Sequence, residues 1–285
     1  MKYQFIQEHR GTYKAKRMCG VLKVSRSGYY VWRTRLPSLR QRDNEDLLGH
    51  IRKVYTQSRR LYGSPRITAA LKEQGLRCGK NRVARIMREH SIRAAMKKRR
   101  FKRSTDSSHH YALAANLLIG PKQTQGVWAS DITFVPTSEG WLYVAAVMNL
   151  KSRKIIGLCM SDKLTQELAS SALKDAVGRQ RPPQGLIHHS DRGRQYASYA
   201  YQELLREYGM TPSMGRSGHC YDNAYVESFF GTLKTGLVHG ERYRSRLEAR
   251  LSIFEYVEVF YNRQRKHSAL GYRSPEQYEK LLKET

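Results

Sequence analysis

Three acidic residues are the part of this sequence whose types and spacing best fit a chemical role. They are Asp131, Asp191 and Glu227, with 35 residues between the second and the third. Carboxylate oxygens are ligands that Mg²⁺ prefers, and the ion keeps several of its waters. Two such ions can activate an attacking water or hydroxyl and stabilise the leaving oxygen of an in-line displacement. The acids therefore predict a phosphoryl-transfer site with two Mg²⁺ or Mn²⁺ ions.

Each acid falls on a different predicted element. Asp131 lies within an apolar strand predicted over residues 127–135, where a buried carboxylate is costly unless a cation compensates it. Asp191 follows a strand predicted over residues 185–190, at the strand end where open α/β sheets bind ligands. Glu227 lies on a helix that begins near residue 222 or 223 and has an apolar stripe. Taken singly, each acid could instead be solvent-facing, turn-forming or ion-paired.

The order of the predicted elements indicates the fold class. Further strands are predicted over residues 141–149, 154–160 and 210–214, and helices over residues 165–180 and 198–208. Three strands followed by alternating helices and strands predict an α/β fold, with a mixed sheet flanked by helices. Ahead of this sheet, Ser64 is a predicted N-cap, and two short helices separated by a turn at Cys78-Gly79 resemble a helix-turn-helix.

The second of these short helices carries polar and basic residues away from its apolar stripe. A helix in the DNA major groove needs such side chains to meet phosphates and base edges. Any one of them could equally lie on a solvated basic face, but the cluster favours DNA. The predicted DNA contacts in this region are Arg66, Lys80, Asn81, Arg82, Arg85 and Arg88.

The formal charge of +28 is concentrated in the N-terminal part of the chain. Residues 1–110 contain 29 basic and 7 acidic side chains, and the remainder contains 23 and 17. Such a field predicts a polyanionic partner, and double-stranded DNA is the usual one. An acidic membrane is disfavoured, because the sequence has no 18-residue apolar run, lipidation motif or signal-peptide core. Four scattered cysteines indicate reduced thiols, and we expect a cytoplasmic, nucleoid-associated protein.

Three runs around the acids resemble those of a known family. They are WASDIT at residues 128–133, HSDRGRQY at residues 189–196 and DNAYVESFFGTLK at residues 222–234. The chain resembles the bacterial insertion-sequence transposases of the Asp-Asp-Glu type, whose core is similar to retroviral integrase. The closer similarity is to the downstream-frame product of two-frame insertion elements. It covers almost the whole chain, including the basic tail at residues 261–276.

The resemblance implies a ribonuclease-H-like core in which Asp131, Asp191 and Glu227 bind the metal ions. It implies cleavage that exposes a 3′-hydroxyl at the element end, followed by attack of that hydroxyl on another phosphodiester. Lys234 is implied as a DNA contact, and Asn223, on a neighbouring stripe of the same helix, is predicted as another. Relatives often have an acid two residues after this lysine, where the chain has Gly236.

The resemblance also bears on partners and domains. It implies a homo-oligomer that holds element ends and target DNA, with a possible upstream-frame fusion partner because the chain has no heptad zipper. No retroviral-type zinc module precedes the core, so recognition of the ends falls to the helix-turn-helix. The predicted segments are a basic helical arm (1–50), the helix-turn-helix domain (51–96), a basic linker (97–120), the catalytic core (121–240) and a helical tail (241–285).

Other interpretations remain open at the level of sequence. The basic half alone could serve a non-catalytic DNA-binding regulator or a transposase remnant. A tyrosine recombinase could use Arg265, His267 and Tyr272, but the strand-rich core opposes this. Arg265 and His267 could instead lie at a polar helix end or in a DNA-contacting tail. For His188 and His189, packing or hydrogen bonding is favoured over metal binding, because adjacent strand residues face opposite sides.

Overall fold

A computed structural model describes residues 1–95, 110–118, 126–215 and 223–284. The chain divides into two compact units, residues 1–50 and 51–285. The first unit contains three short helices, α1 (Lys2–Glu8), α2 (Ala15–Val21) and α3 (Arg26–Thr34). Ile6, Met18, Cys19 and Tyr29 form its small apolar core. Helix α4 covers Leu39–Gln57.

The predicted helix-turn-helix pair is present in the second unit as α5 (Ser64–Glu73) and α6 (Lys80–Glu89). The predicted N-cap is wrong by one residue: Gly63 is the N-cap, and Ser64 is the first helical residue. Pro65 lies in the first turn, where it costs no hydrogen bond, and Thr68 donates its hydroxyl to the carbonyl of Ser64. The apolar stripe of α6 is buried as predicted.

Five strands form one mixed sheet in the second unit. They are β1 (Val127–Thr137), β2 (Gly140–Asn149), β3 (Ile155–Ser161), β4 (Ile187–Ser190) and β5 (Thr211–Met214). Their order is β3-β2-β1-β4-β5, and β2 runs antiparallel to both of its neighbours, β1 and β3. Strand β4 runs parallel to β1, and β5 runs parallel to β4. The predicted mixed sheet of ribonuclease-H-like type is therefore confirmed.

Helices cover both faces of this sheet. One face packs against α7 (Gln166–Gln180), the short α8 (Arg194–Ala197) and α9 (Tyr199–Glu207). The other packs against α10 (Ala224–Gly236) and α11 (Arg246–Glu255). Helix α7 approaches β3 so closely that a Cβ on Gly157 would lie 2.2 Å from the carbonyl oxygen of Ala172. A glycine is therefore needed there.

The tail and the linker complete the second unit. After α11 the chain continues through a wider π-helical segment (Tyr256–Tyr261), a 3₁₀ turn (Ser268–Leu270) and α12 (Pro275–Glu284). Most of the predicted linker lies outside the described residues. Its part at residues 110–118 runs beside β5, where Met214 donates its N–H to the carbonyl of Ala115. None of the helices in the described part of the chain has the length and apolarity to cross a membrane.

Candidate active site

Asp131 lies in the middle of β1, the central strand of the sheet. Its Oδ1 accepts a hydrogen bond of 2.8 Å from the N–H of Ile132. Burial raises the pKa of Asp131 well above its ordinary value, and the charges of Asp191 and Glu227 raise it further. The Ile132 amide and the Lys234 ammonium act in the opposite direction but do not reverse the shift. The fold therefore leaves this carboxylate incompletely compensated.

Asp191 directly follows β4, which pairs with β1 in parallel. The register pairs Ala129 with His189, and the same register continued by two residues places Asp191 beside Asp131. Neighbouring strands lie about 4.8 Å apart, so the two carboxylates share one edge of the site. Asp191 Oδ1 accepts a hydrogen bond of 2.9 Å from the N–H of Gly193, which fixes the turn after the strand.

Glu227 lies in the first turn of α10, whose apolar face packs on the sheet. A carboxylate at this end of a helix is favoured by the helix dipole by about 0.3–1 kcal/mol. The backbone N–H of Glu227 donates to the carbonyl of Asn223, the residue that precedes the helix. Asn223 is only 7% exposed, and its amide Nδ2 donates a hydrogen bond of 3.1 Å to the carbonyl oxygen of Ser130. The helix start is thus joined to β1 next to Asp131.

Lys234 follows Glu227 by seven residues, which returns to nearly the same side of α10. Its ammonium lies 4.8 Å from the ring centre of Phe134 on β1. Burial lowers the pKa of Lys234, and the charge of Asp131 partly restores it. The structure therefore places this ammonium within electrostatic range of the first acid.

His188 and His189 have the hydrogen-bonding roles favoured from the sequence, and both are buried. His188 Nε2 lies 2.8 Å from the Ser130 hydroxyl and 3.2 Å from the Tyr201 hydroxyl. Burial lowers the pKa of His188 to about 3, so its ring is neutral at neutral pH. His189 Nδ1 lies 2.9 Å from the hydroxyl of Ser213. The sequence predicted none of these three partners.

The carboxylates of Asp131, Asp191 and Glu227 do not converge on one point in this structure. Within the described ranges, no three His, Cys, Asp or Glu side chains come close enough together to hold a metal ion. Asp131 and Asp191 each direct one oxygen to a backbone N–H. A carboxylate has a second oxygen, and rotation about side-chain bonds is needed before these atoms can share an ion. The donor set itself fits a hard divalent cation, because all its atoms are carboxylate oxygens.

Most of the predicted DNA contacts lie on the surface of α6. Its buried residues face α5, and its basic residues remain exposed or half-buried on the other side. Arg85 also forms an ion pair of 2.8 Å with Glu89 on the same helix. The predicted contacts with this placement are Lys80, Asn81, Arg82, Arg85 and Arg88.

Arg66 has different surroundings from the other predicted contacts. Its Nε donates a hydrogen bond of 2.9 Å to the carbonyl of Lys266 in the tail. The hydroxyl of Tyr62 accepts a 2.6 Å hydrogen bond from the N–H of Lys266, and the Lys266 ammonium pairs with Glu73. We call these contacts the junction; it comprises Leu61, Tyr62, Arg66 and Glu73 on one side, and Gly236, Gln264, Lys266 and Gln277 on the other.

Part of the basic tail is buried beside the junction. Arg265 is 8% exposed, and its guanidinium contacts the ring of His267. Burial, followed by the charges of Arg265 and Arg66, lowers the pKa of His267 to about 2. A half-buried, neutral imidazole and a buried guanidinium indicate a structural role for this part of the tail.

Comparison with known proteins identifies the family. Models described as "Integrase core domain" match residues 121–220 and 208–275, and one described as "HTH-like domain" matches residues 41–100. Transposase InsF of insertion sequence IS3A from Escherichia coli (strain K12) is 42% identical over 288 residues, which cover 98% of each chain. The chain belongs to the IS3 family of insertion-sequence transposases. The resemblance drawn from the three motifs is confirmed, and the tyrosine recombinase hypothesis has no support.

Two further similarities accompany this IS3-family assignment. The "Insertion element IS600 uncharacterized 31 kDa protein" of Shigella sonnei is 44% identical over 261 residues, which cover 90% of this chain and 96% of that one. The solved catalytic core domain of BIV integrase is 17% identical, with a TM-score of 0.42, and the match covers 55% of this chain and 96% of that one.

Proposed function

We propose that this transposase cleaves DNA strands at the ends of its element and joins them to target DNA through Asp131, Asp191 and Glu227. The observation that supports this most is the placement of three acids that are far apart in sequence on adjoining elements, on β1, directly after β4 and in the first turn of α10. Both other acids raise the pKa of Asp131, which burial already raises. A bound cation would relieve this repulsion and keep all three groups ionised.

In the proposed reaction the protein positions the metal ions and the DNA strands and supplies charged side chains. Two bound Mg²⁺ or Mn²⁺ ions would activate the attacking oxygen and stabilise the leaving one. The three carboxylates would hold them from β1, β4 and α10. Lys234, near Asp131, would bind a phosphate of the cleaved strand. In the first reaction water is the nucleophile and a 3′-oxygen leaves; in the second the freed 3′-hydroxyl attacks a target phosphodiester, and another 3′-oxygen leaves.

The surface of α6 is the proposed site for recognition of the element ends. Its exposed basic residues, together with the excess charge of residues 1–110, suit a DNA duplex. We further propose that the protein acts as a homo-oligomer on two ends, in the bacterial nucleoid. Fusion to an upstream-frame product would supply a heptad zipper for oligomerisation.

The test is strand-specific nicking of labelled element ends with Mg²⁺ or Mn²⁺. Asp191→Asn and Glu227→Gln should retain DNA binding and lose nicking. Asp175→Asn, which alters an ion pair with Arg179 on α7, is the control and should nick normally. The chain fused to the upstream-frame product should be assayed in parallel. Nicking that survives both substitutions, or that needs no divalent metal, would refute the two-metal mechanism.

A further inference from the structure

One buried side chain joins the start of α10 to the central strand. We propose that Asn223 is a positioning residue that sets the separation of Asp131 and Glu227 and thereby the affinity of the site for divalent metal. This inference rests on the function proposed above. It gives Asn223 a role other than the DNA contact predicted from the sequence.

The bonds on either side of Asn223 lead directly to two of the acids. Its amide Nδ2 donates to the carbonyl of Ser130, which is covalently followed by Asp131. Its own carbonyl accepts the N–H of Glu227 across the first helical turn. A shift of this asparagine would therefore change the distance between the strand acid and the helix acid.

Ser130 is itself held firmly from its side chain. Its hydroxyl lies 2.8 Å from His188 Nε2, and the hydroxyl of Tyr201 lies 3.2 Å from the same nitrogen. All three side chains are buried, and His188 is neutral. The Asn223 amide is therefore bonded to a fixed point on β1 rather than to a strand that could follow it.

The environment of Asn223 fits positioning better than contact with DNA. Its Nδ2 donates to the carbonyl of Ser130. Its Oδ1 is buried and has no hydrogen-bond partner in the part of the chain that the structure describes. An unpaired buried oxygen is costly, so a residue chosen only for packing would be apolar. The side chain contributes one donor, and that donor is directed at the strand carrying Asp131.

Asn262 provides a matched control. It is 2% exposed, its Nδ2 donates a 2.9 Å hydrogen bond to the carbonyl of Ile155, and its Oδ1 accepts one of 2.9 Å from the N–H of the same residue. This asparagine also joins a helical segment to a strand of the same sheet. It is bonded to β3, which is separated from β1 by β2.

The experiment measures Mn²⁺ binding to the full chain by electron paramagnetic resonance, with no dependence on catalysis. Asn223→Ala should weaken Mn²⁺ binding about tenfold or more, as loss of a residue that orients metal ligands does. Asn262→Ala should bind Mn²⁺ like the unchanged protein. Thermal melting checks that both variants fold; if Asn223→Ala does not, Asn223→Ser, which keeps a donor, takes its place and should show a smaller loss. DNA affinity at low Mn²⁺ is measured on the same samples.

The outcomes separate this inference from the proposed function. If Asp131→Asn binds Mn²⁺ as tightly as the unchanged protein, the acid site is not the metal site and the proposed function fails. If binding depends on Asp131 but the Asn223 and Asn262 variants bind Mn²⁺ equally well, the positioning role is refuted. Reduced DNA affinity with unchanged Mn²⁺ binding would also overturn it and assign Asn223 to DNA contact.

Discussion

The acid site and the junction are two clusters of charged side chains in the same compact unit, and their charged groups have different partners. In the acid site, like charges are brought together, and the pKa of Asp131 is raised as a result. In the junction, the ammonium of Lys266 meets the carboxylate of Glu73, and Arg66 donates to a carbonyl. A cluster that stabilises the fold gives its charged groups hydrogen-bonding partners, whereas one that leaves a carboxylate incompletely compensated is suited to binding a cation.

Asp131→Asn should give the largest effect and should separate activity from stability. Nicking should fall to background. In EDTA at neutral pH, the melting temperature should rise, by about 2–4 °C for each kcal/mol gained. The folded-state pKa of Asp131 is raised, so ionisation costs stability as pH rises above the ordinary value of 3.8.

The stabilisation by Asp131→Asn should therefore shrink as the pH is lowered toward that value. Calorimetry at several pH values measures this, with Asp43→Asn, at an exposed position, as the surface control. A variant that melts below the unchanged protein at neutral pH would show that the fold does compensate Asp131.

Tyr62→Phe tests the junction. The substitution removes the acceptor of the Lys266 N–H, a 2.6 Å hydrogen bond, and leaves that buried group unpaired. A loss of about 1–3 kcal/mol in the free energy of unfolding is expected. Tyr55→Phe is the control, because Tyr55 donates a 2.6 Å hydrogen bond to Arg93 at an exposed position and should contribute less. Urea unfolding measures both variants. Equal losses of unfolding free energy would show that the junction bond contributes no more than the exposed one.

Gly236→Ala should destabilise the protein through the same junction. A Cβ on Gly236 would lie 2.5 Å from Leu61 Cδ1, and overpacking of this kind costs about 1–3 kcal/mol. Gly231 lies on the same helix with nothing within 4 Å of such a Cβ, so Gly231→Ala should be neutral or stabilising, by up to about 1 kcal/mol. Urea unfolding compares them, and effects of the same sign would contradict the tight contact.

Glu73→Gln should have the smallest effect, because the Glu73 side chain is 52% exposed. The hydrogen bond from Lys266 is the main cause of its lowered pKa. A lowered folded-state pKa contributes stability above the ordinary value of 4.5 that is lost as pH falls through the folded value. Chemical unfolding should therefore show a small difference between variant and unchanged protein at neutral pH that shrinks as the pH falls below 4.5. A difference that grows on acidification would be inconsistent with this pair.

Elements of regular structure were predictable because their patterns are local. The apolar runs of β1 and β2, and the stripe of Val226, Phe229 and Phe230 on α10, each indicate which residues are buried. The positions of the three acids on these elements were predictable for the same reason, since each follows or interrupts such a pattern. The helix cap at Gly63 was missed because a serine beside a proline has the same local signature as a cap.

Contacts between distant segments were not predictable. Arg66 was expected at DNA, and its bond to Lys266 spans 200 residues of sequence. The Asn223 amide reaches Ser130 across 93 residues. Neither periodicity nor composition encodes a partner at such separations, because these two contacts arise only when α5 packs on the tail and α10 packs on β1.

The junction also affects the distance along DNA between the sequence that is recognised and the phosphate that is cleaved. Tyr62, Arg66 and Glu73 bind the start and side of α5 to the tail. Asn262 in turn bonds the tail to β3, so hydrogen bonds as well as the chain connect the helix pair to the sheet. A duplex held by α6 would then be held at a set distance from the three carboxylates. In that arrangement the fold would set the number of base pairs between a recognised sequence and the cleaved phosphate.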